Sequence, residues 1–212
     1  MRTLLILTLT ALIVSLGACA EPDRPSVPLY LAIQRGDIDQ LERHIHWGTD
    51  INTVLPGGRY PLHSAAESGR FIMVRTLLRH GADIGATTEQ GDSALDLAIL
   101  SGRTQVAELL LESGAQLDAS ALLVKAASLG VTDRDTVKFL IEAGADLEQR
   151  SGDGDTALLI TIRQDNHRLA THLVNRGAEV NVKAADGRSA LDLARQLGYP
   201  ELISLLQRQG AL

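Results

Sequence analysis

The sequence predicts an all-α fold, a solenoid of six helix-turn-helix repeats joined by β-hairpin-like loops. Three observations predict it. A short motif recurs as Gly-Ala-Asp-Ile at Gly81, Gly-Ala-Gln-Leu at Gly114, Gly-Ala-Asp-Leu at Gly144, Gly-Ala-Glu-Val at Gly177 and Gly-Ala-Leu at Gly210, after a degenerate copy at Gly48-Thr49-Asp50-Ile51. The intervals between these glycines are 33, 33, 30, 33 and 33 residues, and self-similarity of that period marks stacked supersecondary units. A second glycine register stands twelve residues earlier at Gly36, Gly69, Gly102 and Gly198, with Asp165 in its place once and Gly130 displaced by two. Between the two registers, apolar residues fall at helical spacing: Met73, Leu77 and Leu78; Val106, Leu110 and Leu111; Leu169, Leu173 and Val174.

The repeats run over about 28–52, 53–85, 86–118, 119–148, 149–181 and 182–212. Each opens with a short apolar segment rich in small residues, such as Pro61-Leu62-His63-Ser64-Ala65-Ala66 or Ala94-Leu95-Asp96-Leu97-Ala98, which predicts a first helix able to approach its neighbours closely. Pro61 suits a first helical turn, where its missing N–H is not needed. The longer segment that follows predicts a second helix, ended by a glycine in the left-handed conformation. Gly57-Gly58, Gly91-Asp92, Asp153-Gly154 and Asp186-Gly187 are tight-turn signals for projecting hairpins between repeats. The fourth copy departs from this plan. Its hairpin is five residues short and its turn around Val131-Thr132-Asp133 two residues long, so the row of hairpin fingers is expected to break at mid-stack. Gln40 and His44 in the first copy, and Arg195 and Gln207 in the last, fall where interior copies are apolar, which predicts capping repeats with polar outer faces.

The 212 residues are 45% hydrophobic but only 3% aromatic, so the core must come from Leu, Ile, Val and Ala. Net charge is −6, with 20 Lys and Arg scattered among 26 Asp and Glu. That distribution offers no basic patch for phosphates and excludes nucleic acid as an expected partner.

With these motifs in hand, the chain resembles the ankyrin repeat family from roughly Pro25 to Leu212. The second copy carries the likeness best, with Tyr60-Pro61-Leu62-His63-Ser64-Ala65 in the place of the family's Thr-Pro-Leu-His-x-Ala. The resemblance implies a protein-binding module, not an enzyme, that grips its partner with finger tips and the exposed ends of first helices. On this chain those positions are Arg59, Tyr60, Glu89, Asp92, Asp153, Asp155 and Arg188 on the fingers, and Glu67, Leu100, Ser128, Arg163 and Gln196 on the helices. It also implies that His63 orders its hairpin by hydrogen bonding. If the fingers form the interface, joint charge reversal at Arg59, Asp92, Asp155 and Arg188 is expected to abolish binding without changing the melting behaviour. Trp47, ending the second helix of the first repeat, is read either as a binding anchor or as a lid over the end of the core.

The N-terminus has a different chemistry. Met1-Arg2 is followed by a mostly apolar run from Leu4 to Leu16 and then Gly17-Ala18-Cys19, a segment too short to cross a bilayer comfortably. It resembles a bacterial lipoprotein signal, with Leu16-Gly17-Ala18-Cys19 as the lipobox. The resemblance implies removal of residues 1–18 and acylation of Cys19, the only cysteine, which would leave the mature chain one unit more negative by the loss of Arg2. Ala20 after the cysteine implies the periplasmic face of the outer membrane. Residues 19–27 are Pro-rich and predict a short extended tether of about 3 Å per residue.

No catalytic set is legible. His44 and His46 are two apart and point to different sides of a helix, His167 and His172 are five apart, and there is no HExxH or Cys/His cluster, so no metal or cofactor is expected. Asp153/Asp155 and Glu89/Asp92 do not extend into the alternating ligands of a calcium loop. Ser64, Ser93 and Ser189 lack a nucleophile-elbow context. Three functions remain open: an immunity protein or stoichiometric inhibitor of a toxic secreted enzyme, an assembly or stability factor for a resident periplasmic enzyme, and a weak enzyme or ligand-binding protein.

Overall fold

The computed structural model describes residues 21–131 and 133–212; residues 1–18, expected as a lipoprotein signal, together with Cys19, Ala20 and Thr132, lie outside the described residues. Twelve helices follow in pairs: α1 (Leu29–Arg35) and α2 (Ile38–His46), α3 (Pro61–Glu67) and α4 (Phe71–Arg79), α5 (Ala94–Leu100) and α6 (Thr104–Glu112), α7 (Ala119–Ser128) and α8 (Arg134–Glu142), α9 (Ala157–Arg163) and α10 (His167–Asn175), α11 (Ala190–Leu197) and α12 (Pro200–Arg208). Helices of 7 to 10 residues are too short to persist alone. Stacking holds them, and two rows of side chains show how.

The residue four before each motif glycine is His44, Leu77, Leu110, Leu140, Leu173 or Leu206, and all five leucines are fully enclosed. The residue four before the other register is Ala32, Ala65, Ala98, Ala126, Thr161 or Ala194, each with 0% exposure. The alanines let first helices pack closely, and each buried leucine contributes about 1.5–3 kcal/mol. Thr161 satisfies its hydroxyl by donating to Leu158 O at 2.8 Å. Asp165 takes the left-handed turn in the place of a glycine, at φ 61°, and its carboxylate accepts a hydrogen bond from Tyr199 of the next copy.

Isolated bridges close four fingers, at Leu55–Arg59, Thr87–Ser93, Arg150–Thr156 and Lys183–Ser189. Between the third and fourth copies the chain instead enters α7 three residues earlier, relative to its glycine, than α3 or α5 is entered, with Asp118 capping Ala121 N at 2.9 Å. The finger is therefore absent there, as its length predicts. The stack also opens at this point: α5 and α7 stand farther apart than other neighbouring first helices, and α8 is held by α7 more than by α6 or α10.

The first copy differs from the expected polar outer face. Gln40 and His44 are buried because residues 21–28, expected as a free extended tether, lie along α2. Ser26 N–H donates to Gln40 Oε1 at 2.8 Å, and His44 Nε2 donates to Val27 O at 2.8 Å while Nδ1 accepts from Thr49 Oγ1 at 3.0 Å. Trp47 Nε1 donates to Pro22 O at 3.1 Å, and the Arg24 guanidinium lies 4.9 Å from its ring centre. Trp47 thus pins the strap; the core beneath is closed by the strap itself. At the other end Arg195 and Gln207 are exposed, as a polar cap requires.

Candidate protein-binding site

The concave side is built from finger tips and the ends of first helices. In each finger the residue just before the helix N-cap is Arg59, Asp92, Asp155 or Arg188, and eight residues further on, at the helix end, stands Glu67, Leu100, Arg163 or Gln196. Three of the four pairs clamp their finger to their helix. Arg59 pairs with Glu67, Asp155 forms an ion pair with Arg163 Nε at 2.9 Å, and Arg188 Nη1 donates to Gln196 Oε1 at 2.7 Å. The second finger has apolar Leu100 at the receiving position, and Asp92 turns instead to Lys125 of the next copy.

The C-terminal clamps join into a network. Arg163 Nη2 reaches Asp186 at 2.8 Å and Arg188 Nη2 reaches the same oxygen at 2.6 Å. Hydrogen bonds from Arg188 and then Arg163 hold the Asp186 carboxyl far below the usual carboxylate range. At the second copy, Tyr60 N–H donates to His63 Nδ1 at 3.3 Å and His63 Nε2 donates to Ala86 O at 2.9 Å, which sets the tautomer and ties the third copy's hairpin to α3. Burial, foremost, holds the His63 pKa below its ordinary value. The Tyr60 ring meets His63 edge-on at 5.4 Å.

The predicted contact residues therefore divide. Glu89 and Asp153 are exposed at finger tips, and Arg59, Tyr60, Glu67, Leu100 and Arg188 are half-buried along the groove. Asp92 and Asp155 are not free contact residues: they are 9% and 8% exposed and serve as internal clamps. Charge reversal at Asp92 and Asp155 is thus a stability experiment, contrary to the sequence-based expectation of unchanged melting, because it would set like charges against Lys125 and Arg163.

Three side chains missed by sequence reasoning lie on this side. Leu129 is 62% exposed, Leu197 42% and Tyr30 42%. Leu129 and Leu197 occupy the position just before the first-helix glycine, where other copies carry Ser68, Ser101 and Gln164; apolar residues breaking a polar column were the available signal. Lys125, also missed, stands where other copies have Ser64, Leu97, Ile160 and Leu193. Two depressions complete the face. One of about 770 Å³ is lined by Tyr30, Gln34, Arg59, Ser64, Glu67 and Gln90. The other, about 580 Å³, occupies the place of the absent finger, beside Ile84, Thr87, Asp96, Gln116, Ala121 and Lys125. Among the described residues no group of three or more His, Cys, Asp or Glu is placed to hold a metal ion, and no helix is long and apolar enough to cross a membrane.

The family pattern of ankyrin repeats in three copies matches residues 29–121 and 123–211. The chain belongs to the ankyrin-repeat family. Ankyrin repeats mediate protein–protein binding. A putative ankyrin repeat-containing protein of Treponema pallidum is 32% identical over 88 residues, 42% of this chain and 29% of that protein. The chain spans less than a third of the length of the curated relatives it matches. Among solved structures, an ankyrin repeat domain from Acinetobacter baumannii is 28% identical with a TM-score of 0.69, covering 87% of this chain and 98% of that one. A chain from the complex of a predatory endopeptidase of Bdellovibrio bacteriovorus with an immunity protein is 24% identical with a TM-score of 0.70, covering 87% of this chain and 99% of that one.

Proposed function

We propose that this ankyrin array is a lipid-anchored periplasmic binder that holds a folded enzyme against its concave face and silences it, as an immunity protein or stoichiometric inhibitor does. The observation that carries the proposal is the division of labour on that face. The charges near the groove are neutralised by clamps within the array, while Tyr30 stands exposed beside one depression and Leu129, Leu197, Glu89 and Asp153 are left exposed elsewhere. A surface preorganised in this way loses little entropy on binding a rigid partner. Its apolar and aromatic side chains within a polar surround match the composition of protein interfaces. The Bdellovibrio complex, which pairs an endopeptidase with an immunity protein, offers the pattern for such a partnership.

The lipobox-like Leu16-Gly17-Ala18-Cys19 supports anchoring at Cys19, on the periplasmic face of the outer membrane. Pro22 is held by Trp47, so only a few residues separate Cys19 from the folded array. At about 3 Å per residue, the first repeat would stand within roughly 10 Å of the bilayer.

A cross-linked pull-down of tagged, acylated protein from intact envelopes, with partner identification and stoichiometry, tests the reading. One partner in a one-to-one complex, whose hydrolytic activity falls on binding, is the expected result. Tyr30→Asp with Leu129→Asp should weaken that complex at least tenfold at unchanged helical content. A resident protein whose abundance drops when this chain is deleted would replace the inhibitor with a stability factor, and binding indifferent to the double variant would move the site off the concave face.

A further inference from the structure

The cations that look scattered along the sequence are not scattered in space. On the convex side, where α8 is set apart from α10, a crevice of about 410 Å³ opens between the two helices, lined by Arg134, Arg168, Leu169, Thr171, His172 and Asn175. Arg176, at the end of α10, adds a third guanidinium close enough to act on His172. Arg134 lies 34 residues before Arg168, so only the stacking of successive copies brings it to the cations of α10.

Two features mark this cluster. First, its cations face one crevice without an acid among them. Arg134, Arg168 and Arg176 enter no ion pair among the described residues, as is true of Arg35, Arg79 and several others, but here two such cations line one crevice. No carboxylate lines the crevice. Burial, then Arg176 and Arg134, push the His172 pKa down, and no acidic group offsets them. In a chain of net charge −6 three cations left without an acid is an arrangement that costs folding energy through mutual repulsion. Second, His172 Nε2 is buried without a hydrogen-bond partner, an unsatisfied atom of the kind that native structures seldom leave.

We propose that the α8/α10 crevice is a binding site for a phosphate-class oxyanion. Guanidinium groups present planar forks of donors that match phosphate oxygens. Arg134 and Arg168, with the Asn175 amide and the Thr171 hydroxyl, line the crevice with more donors than a single carboxylate can use, and Arg176 adds positive potential at His172. The crevice lies on the face opposite the groove proposed for the protein partner, so occupancy of one leaves the other open. The phosphate could come from solution or from a lipid headgroup, the same chemistry from two sources.

The test is titration of the full chain with inorganic pyrophosphate, followed by calorimetry and by the ring resonances of His172, in parallel with flotation on phosphatidylglycerol vesicles against phosphatidylcholine vesicles. Saturable one-to-one binding that moves the His172 signals, and that falls at least tenfold in Arg134→Gln/Arg168→Gln but not in Arg35→Gln/Arg79→Gln, is the expected result. Binding by pyrophosphate alone assigns a soluble phosphate, and Arg134- and Arg168-dependent flotation assigns a headgroup. Without anion, the melting temperature of Arg134→Gln/Arg168→Gln should hold or rise as repulsion is relieved. A fall would mean that the arginines serve packing, and would overturn the proposal, as would unsaturable binding, binding indifferent to the double variant, or the same arginine dependence toward an acidic peptide but not phosphate.

Discussion

The second and fourth copies are built from the same two helices and differ in almost everything around them. In the second, Pro61 opens a seven-residue α3, a finger projects at Leu55–Arg59, and His63 ties the copy to the next hairpin. In the fourth, no finger forms, α7 is ten residues long, and Val124 stands at the place of His63. Yet Leu77 and Leu140, and Ala65 and Ala126, are enclosed to the same degree. The difference teaches that the repeat is constrained at its packing rows and free at its loops. A stack tolerates a missing finger because a hairpin tip buries little, but it cannot tolerate a slipped leucine. Both candidate sites benefit from that freedom: the concave depression at the missing finger and the cation-lined crevice beside α8 each exist because the fourth copy is irregular.

The comparison can be broken most forcefully in the leucine row. Leu77→Ala should cost about 2–5 kcal/mol in chemical denaturation, the cavity cost of an enclosed leucine. Leu140→Ala should fall toward the lower end, because the looser setting of α8 allows partial collapse. A larger loss for Leu140 would show that the mid-stack is no softer than the rest.

A smaller effect separates clamps from tips. Asp92→Asn and Asp155→Asn, each removing a charge from a mostly buried pair, should cost about 1–3 kcal/mol. Glu89→Gln and Asp153→Gln, at exposed tips, should stay within about 0.5 kcal/mol. Equal losses in the two sets would return Asp92 and Asp155 to the candidate contact surface.

The smallest effect at neutral pH, and the one most specific to the second copy, is the acid response of His63. Its folded pKa lies below its ordinary value, so the unfolded chain takes up the proton first. The stability contributed by the neutral ring is complete above about pH 6.5 and is lost as pH falls from there toward the folded pKa. Protonation of Nδ1 removes the acceptor for Tyr60 N–H. Protection factors in α3 and the second finger, corrected for the slower intrinsic exchange in acid, should therefore fall on mild acidification while those in α7, which carries Val124 at that place, do not; His63→Gln should remove the difference.

Helices, enclosed rows and the missing finger were all legible in the residues, because each depends on groups within a dozen positions of one another: 3.6-residue periodicity, a proline at a first turn, a glycine at a stop. The candidate site was legible only in outline. Finger tips such as Glu89 and Asp153 follow from the same local rules, but Asp92 and Asp155 carry the same charge in nearly the same place and are buried clamps. What separates them is the partner that lies across the stack, Lys125 from the next copy or Arg163 from the helix end. The strap over Gln40 and His44, the network through Asp186, and the gathering of Arg134, Arg168 and Arg176 were decided only by tertiary structure. Residues some thirty positions apart become neighbours when copies stack, and which of them meet depends on how far each copy is shifted against the last. That shift is a sum over all the packing contacts in the array, and no short stretch of sequence contains it.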